Sequence, residues 1–154
     1  DGGGGLASGT GTAIGAGLAL GDTNRTVVGV LGDGDTMQGA SSLWTAAHYS
    51  IPVLFVISNN RSNFNDEIHQ ETVAKTRNRP VENRWIGQRI DDPTVSIERY
   101  AQSLGVESAG PIEKVADLVP ALQHALSVVE SGKPYLLNVH VEKGYAVPPP
   151  AREA

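Results

Sequence analysis

The chain has 154 residues, enough for one domain with a substantial core, and carries a formal net charge of −5. That mild acidity, with no basic run, argues against a nucleic-acid partner. Cysteine is absent, which excludes a disulfide framework and a zinc–thiolate site and fits a cytoplasmic protein. No stretch reaches the ~18 apolar residues of a membrane span, and none reads as a signal peptide.

In chain order, residues 10–20 read as a small-residue helix rich in Ala and Gly, ended by a turn over 21–24. Residues 27–31 form a nearly all-apolar strand, expected to be buried on both faces. Residues 39–49 predict a helix with Leu43, Ala46 and Ala47 on its apolar face, and Pro52 separates it from a second apolar strand over 53–57. Residues 61–93 are polar, rich in Asn, Arg, Asp and Pro, with little periodicity; a stretch of that length in a compact domain is usually functional. Residues 96–104 predict a short helix and 105–108 a short strand. Residues 115–129 predict an amphipathic helix with Leu118, Leu122, Ala125 and Val129 at helical spacing. Gly132, Lys133 and Pro134 stop it before a last strand over 135–141, and Pro148, Pro149 and Pro150 mark an extended tail. The strand–helix alternation predicts an α/β fold: a three-layer sandwich with a mostly parallel sheet flanked by helices, spanning residues 1–154 as one domain.

Two polar turns stand at the carboxyl ends of the first two strands. Gly32, Asp33 and Gly34 close the first, and Asn59 and Asn60, after 24 intervening residues, close the second. One strand, one helix and the next strand fit that interval, and adjacent parallel strands lie about 4.8 Å apart. Both turns therefore reach one point on the edge where open parallel sheets bind ligands. A carboxylate and an amide oxygen there suit a hard cation such as Mg²⁺ beside a phosphate. Other motifs fail. Gly9, Gly11 and Gly15 miss the dinucleotide spacing by one and follow no strand; no Gly-Lys-Ser/Thr makes a P-loop; and the twelfth position of a calcium loop begun at Asp33 is Trp44.

The pairing of Gly-Asp-Gly with Asn-Asn resembles the signature of thiamine diphosphate enzymes. Residues 42–52 resemble the matching helix of benzoylformate decarboxylase, and residues 12–16 resemble the opening helix of the same domain in acetolactate synthase. The resemblance runs over residues 6–141 and implies the diphosphate-binding domain of such an enzyme, the last of three in a longer chain. It implies thiamine diphosphate and Mg²⁺ as cofactors, with Asp33, Asn60 and the backbone carbonyl of Ser62 as metal ligands and Asn59 as a helper. Leu6 falls where the family props thiamine into its bent shape. Gly32 belongs to the same turn, and the backbone N–H groups of Gly34, Asp35 and Thr36 suit the diphosphate oxygens. Asn63 and Phe64 follow the metal turn beside the cofactor, and residues 63–85 are expected to order over it, because an aperiodic polar segment gains little from folding alone.

Asp66 and Glu67 read as solvated charges. Among the histidines only His69 lies in the polar stretch near the site; His48, His124 and His140 sit in predicted regular elements. No residue of this chain reads as catalytic in its own right. The resemblance implies a 2-keto acid decarboxylase or carboligase in which a glutamate from the pyrimidine-binding domain of the same or a neighbouring subunit activates the cofactor. The enzyme is then at least a dimer, as a homodimer or homotetramer, acting on a small 2-keto acid. The alternative is a non-catalytic cofactor-binding module, or a separately encoded small subunit that works only with a partner chain.

Overall fold

A computed structural model describes residues 5–144. The proline tail predicted over 148–150 lies outside the described residues, as do Asp1 and the three glycines after it. The elements run α1 (Gly9–Leu20), β1 (Val27–Gly32), α2 (Asp33–Gly39), α3 (Ser42–His48), β2 (Val53–Asn59), α4 (Phe64–Thr76), α5 (Ile97–Ser103), β3 (Glu107–Ile112), α6 (Val115–Glu130) and β4 (Tyr135–His140). The four strands form one parallel sheet in the order β1-β2-β4-β3, with helices on both faces.

The pleat sorts the apolar residues of β2 onto two cores. Val53, Phe55 and Ile57 pack with Ile14, Leu43, Ile97 and Leu136 beneath α1, α3 and α5. Leu54 and the part-buried Val56 face Ala125, Val129 and Tyr135 beneath α6. Each of the large side chains adds roughly 1.5–3 kcal/mol through burial. β2 therefore sits at the centre of the molecule and fixes where its carboxyl end, Asn59, emerges.

Four sequence expectations change. β1 is not buried on both faces. It is an edge strand beside β2 alone, α6 packs over β2, β3 and β4, and Val30 is left 71 % exposed. The predicted helix over 39–49 is α3 alone, because the chain breaks after Gly39. The hydroxyls of Thr10 and Ser42 both donate to the Gly39 carbonyl (2.9 and 2.8 Å) and take it out of the helical ladder. The strand predicted over 105–108 runs on to Ile112 across a register shift after Ala109; Gly110 and Pro111 hide it, and an edge strand tolerates such residues. The polar stretch, expected to lack a fold of its own, forms α4 and a returning segment that bridges Ser62 to Arg89.

Candidate cofactor and metal site

Gly32 and Ser58 are register partners, so the chain leaves β1 and β2 side by side at the carboxyl edge of the sheet. Asp33 follows at once as the first residue of α2 and is only 3 % exposed. After Asn59 the backbone turns through Arg61, which is left-handed at φ +57°. That turn brings the Ser62 N–H to two acceptors, Asp33 Oδ2 at 3.0 Å and Asn60 Oδ1 at 2.9 Å. Two oxygens sharing one donor lie at most about 6 Å apart. Asp33 and Asn60, distant in sequence, thus converge as the spacing predicts.

Burial pushes the Asp33 carboxyl above its usual 3.8, against the pull of backbone N–H groups of Gly34, Asp33 itself, Ser62 and Arg61. Such a carboxylate lacks a positive partner. Gly34 lets the Asn63 side chain approach closely: a Cβ there would lie 2.0 Å from Asn63 Oδ1 and would displace that amide.

These groups line a cleft of about 620 Å³. Gly32, Asp33, Gly34 and Asp35 form one wall, and Asn60, Ser62, Asn63 and Phe64 the other. Leu6, half exposed, stands on the rim before α1. Of the residues assigned from sequence, Thr36 and Asn59 are outside the lining: Thr36 is buried, and its hydroxyl donates to the Gly32 carbonyl at 2.7 Å, closing the first turn of α2, while Asn59 is buried behind the turn. The lining also includes Ser58, Asn65 and Asp66, which sequence reasoning did not assign.

Glu67 is not a solvated charge. It is 2 % exposed, accepts a hydrogen bond from the Ser62 hydroxyl and lies 3.7 Å from the Arg89 Nε. It is the only buried residue of α4 and anchors that helix to the turn at Ser62. Its neighbours in sequence carry no sign of this; the signal is a serine five residues earlier. His69 is exposed on α4 and does not line the cleft.

The donor set is one carboxylate oxygen, one amide oxygen and a backbone carbonyl, all hard oxygens. Among the described residues no three His, Asp or Glu side chains gather as a metal-binding cluster, so a cation at this edge would rest on one carboxylate together with amide and backbone oxygens. The lining holds three carboxylates, Asp33, Asp35 and Asp66, and no Lys or Arg. A polyanion entering such a cleft needs a divalent cation to bridge it. The residues present fit Mg²⁺ held with a diphosphate.

The family model described as "Thiamine pyrophosphate enzyme, C-terminal TPP binding domain" matches residues 1–139. The chain belongs to this family. As a TPP-binding domain it is 31 % identical over 136 residues to benzoylformate decarboxylase of Pseudomonas aeruginosa, covering 88 % of this chain and 23 % of that protein. The solved thiamine diphosphate-dependent 4-hydroxybenzoylformate decarboxylase of Rhodococcus jostii RHA1 is 28 % identical, with a TM-score of 0.69 over 92 % of this chain and 24 % of that one. Benzoylformate decarboxylase of Polynucleobacter necessarius shares the fold, with a TM-score of 0.71 at 20 % identity over 94 % of this chain and 25 % of that one. The TPP-binding domain thus spans about a quarter of the length of these relatives. Among the described residues no helix is long and apolar enough to cross a membrane.

Proposed function

We propose that this domain holds Mg²⁺ and the diphosphate of thiamine diphosphate, as one half of the active site of a 2-keto acid decarboxylase like benzoylformate decarboxylase. The observation that carries the reading is the convergence of Asp33 Oδ2 and Asn60 Oδ1 on one N–H, in a cleft lined by carboxylates and no cation. Asp33 and Asn60 hold the metal with the Ser62 carbonyl. Backbone groups of the Gly34 turn and of Asn63 would hold the diphosphate, and Leu6 on the rim would support the thiamine.

Bound thiamine diphosphate supplies the thiazolium electron sink for loss of CO₂ from a 2-keto acid. This chain's residues bind and orient it; the glutamate that activates the pyrimidine comes from the pyrimidine-binding domain of the same or a neighbouring subunit, in a homodimer or homotetramer. The similarity to two decarboxylases supports that branch over the acetolactate synthase-like carboligases. The test is a product assay on the intact protein loaded with Mg²⁺ and thiamine diphosphate and offered benzoylformate and pyruvate. Benzaldehyde and CO₂ from benzoylformate are expected. Condensed acetohydroxy acid from pyruvate would assign the carboligase instead, and no product from either would favour a non-catalytic module.

A further inference from the structure

Behind the metal turn, on the side away from the cleft, runs a chain of buried amides. The Arg61 N–H donates to Asn59 Oδ1 (3.0 Å), Asn59 Nδ2 donates to Asn138 Oδ1 (3.1 Å), and Asn138 Nδ2 donates to Glu98 Oε2 (2.7 Å). Asn59 and Asn138 are 2 % and 1 % exposed, so each must satisfy its amide within the protein. Glu98, on α5, also accepts the Ser96 hydroxyl. The Val141 N–H donates to the Asn59 carbonyl at 3.0 Å and ties the same residue to the end of β4.

The two ends of this chain fix its direction. A peptide N–H only donates, and an ionised carboxylate only accepts. Asn138 must therefore turn its NH₂ to Glu98 and its oxygen to Asn59; Asn59 must turn its NH₂ to Asn138 and its oxygen to Arg61. So turned, Asn59 Oδ1 accepts from the N–H of Arg61, the left-handed residue whose conformation presents Asn60 and Ser62 to Asp33. A glutamate on α5, 38 residues beyond Asn60 in sequence, thus polarises the backbone of the metal turn.

We propose that Asn138 and Glu98 are positioning residues for the metal-binding turn, acting through the amide of Asn59. The metal half of this inference rests on the function proposed above; the ordering of the turn does not.

The polarity gives a swap test on the intact protein. Asn138→Asp places a second carboxylate against Glu98; read at a pH high enough that the pair shares no proton, neither can donate and the relay opens. Adding Glu98→Gln to Asn138→Asp closes it again: the new amide at 98 donates to the new carboxylate at 138, which still accepts from Asn59. Two readouts are needed, hydrogen exchange of the Arg61 amide in the ligand-free protein and Mg²⁺ affinity with thiamine diphosphate present. Asn138→Asp is expected to speed exchange and weaken Mg²⁺ binding by about tenfold each, the size of one charge-assisted hydrogen bond. The double variant is expected to restore both. If Asn138→Asp does not fold, Glu98→Leu opens the relay from its outer, part-exposed end and carries the same expectation. Unchanged exchange, faster exchange with unchanged Mg²⁺ affinity, or a folded double variant that recovers neither would overturn the proposal. A wild-type protein that binds no Mg²⁺ with thiamine diphosphate would instead overturn the metal reading, and that result is read from the wild type alone.

Discussion

At the scale of single residues, the site is a problem of uncompensated charge. Asp33 is buried with its carboxyl raised, and no cationic side chain lines its cleft. Asp33→Ala is expected to abolish Mg²⁺-dependent retention of thiamine diphosphate, and Asn60→Ala to weaken it strongly. Losing one partner of a charge-compensated buried site typically costs about 3 kcal/mol or more. Equilibrium dialysis against labelled cofactor measures both. Glu98 behaves in the opposite sense. Burial pushes its carboxyl up, but hydrogen bonds from Ser96, its own backbone N–H and Asn138, with the charge of His140, leave it below its ordinary 4.5. A carboxylate with a depressed folded pKa stabilises the fold fully above its unfolded value, and that stability is lost as pH falls through the folded value. Urea titrations below pH 4.5 are therefore expected to show a shallower acid loss in Glu98→Gln than in wild type. Identical slopes would mean that Glu98 is no better placed in the fold than in the unfolded chain.

Elements position these residues through close approach and polar anchoring as much as through apolar faces. Gly39 near the site is packed against backbone: a Cβ there would lie 2.5 Å from the Ala7 carbonyl oxygen and 2.7 Å from Thr10 Oγ1. Gly39→Ala is expected to push away the loop that carries Leu6. Overpacking of this kind costs about 1–3 kcal/mol, seen as a lower denaturation midpoint together with weaker cofactor binding. Glu67→Ala is expected to loosen α4, with its amides exchanging faster; it leaves the buried Ser62 hydroxyl without its acceptor, a loss of about 1–3 kcal/mol. What was legible in the sequence follows the same division. β2 could be read as an unbroken apolar run, and α6 because its apolar residues repeat at helical spacing. α4 could not, because Glu67 is its only buried residue and a polar anchor leaves no periodicity. β1 misled because an all-apolar run does not reveal that it lies at an edge, with Val28 and Val30 uncovered. Asp33 and Asn60 were legible because both close strands at an interval that one crossover fills. Glu67, Asn138 and Glu98 were not, because their partners lie across the fold or carry no motif.

For the whole molecule, the decisive fact is proportion. The chain is a TPP-binding domain about a quarter the length of the decarboxylases it resembles, and it carries the acidic wall of a cleft; on the function proposed above, the glutamate that activates the cofactor comes from elsewhere. The 154-residue chain alone is expected to show no turnover of benzoylformate or pyruvate; measurable decarboxylation by it would refute the divided-site account. The most direct test of that account's centre, a metal held between Asp33 and Asn60 as the bridge to a diphosphate, is calorimetric titration of the intact protein with thiamine diphosphate, first with Mg²⁺ and then with excess chelator. Binding that needs Mg²⁺ is predicted, because three carboxylates and no cation line the cleft. Equal affinity in the presence of chelator would contradict it.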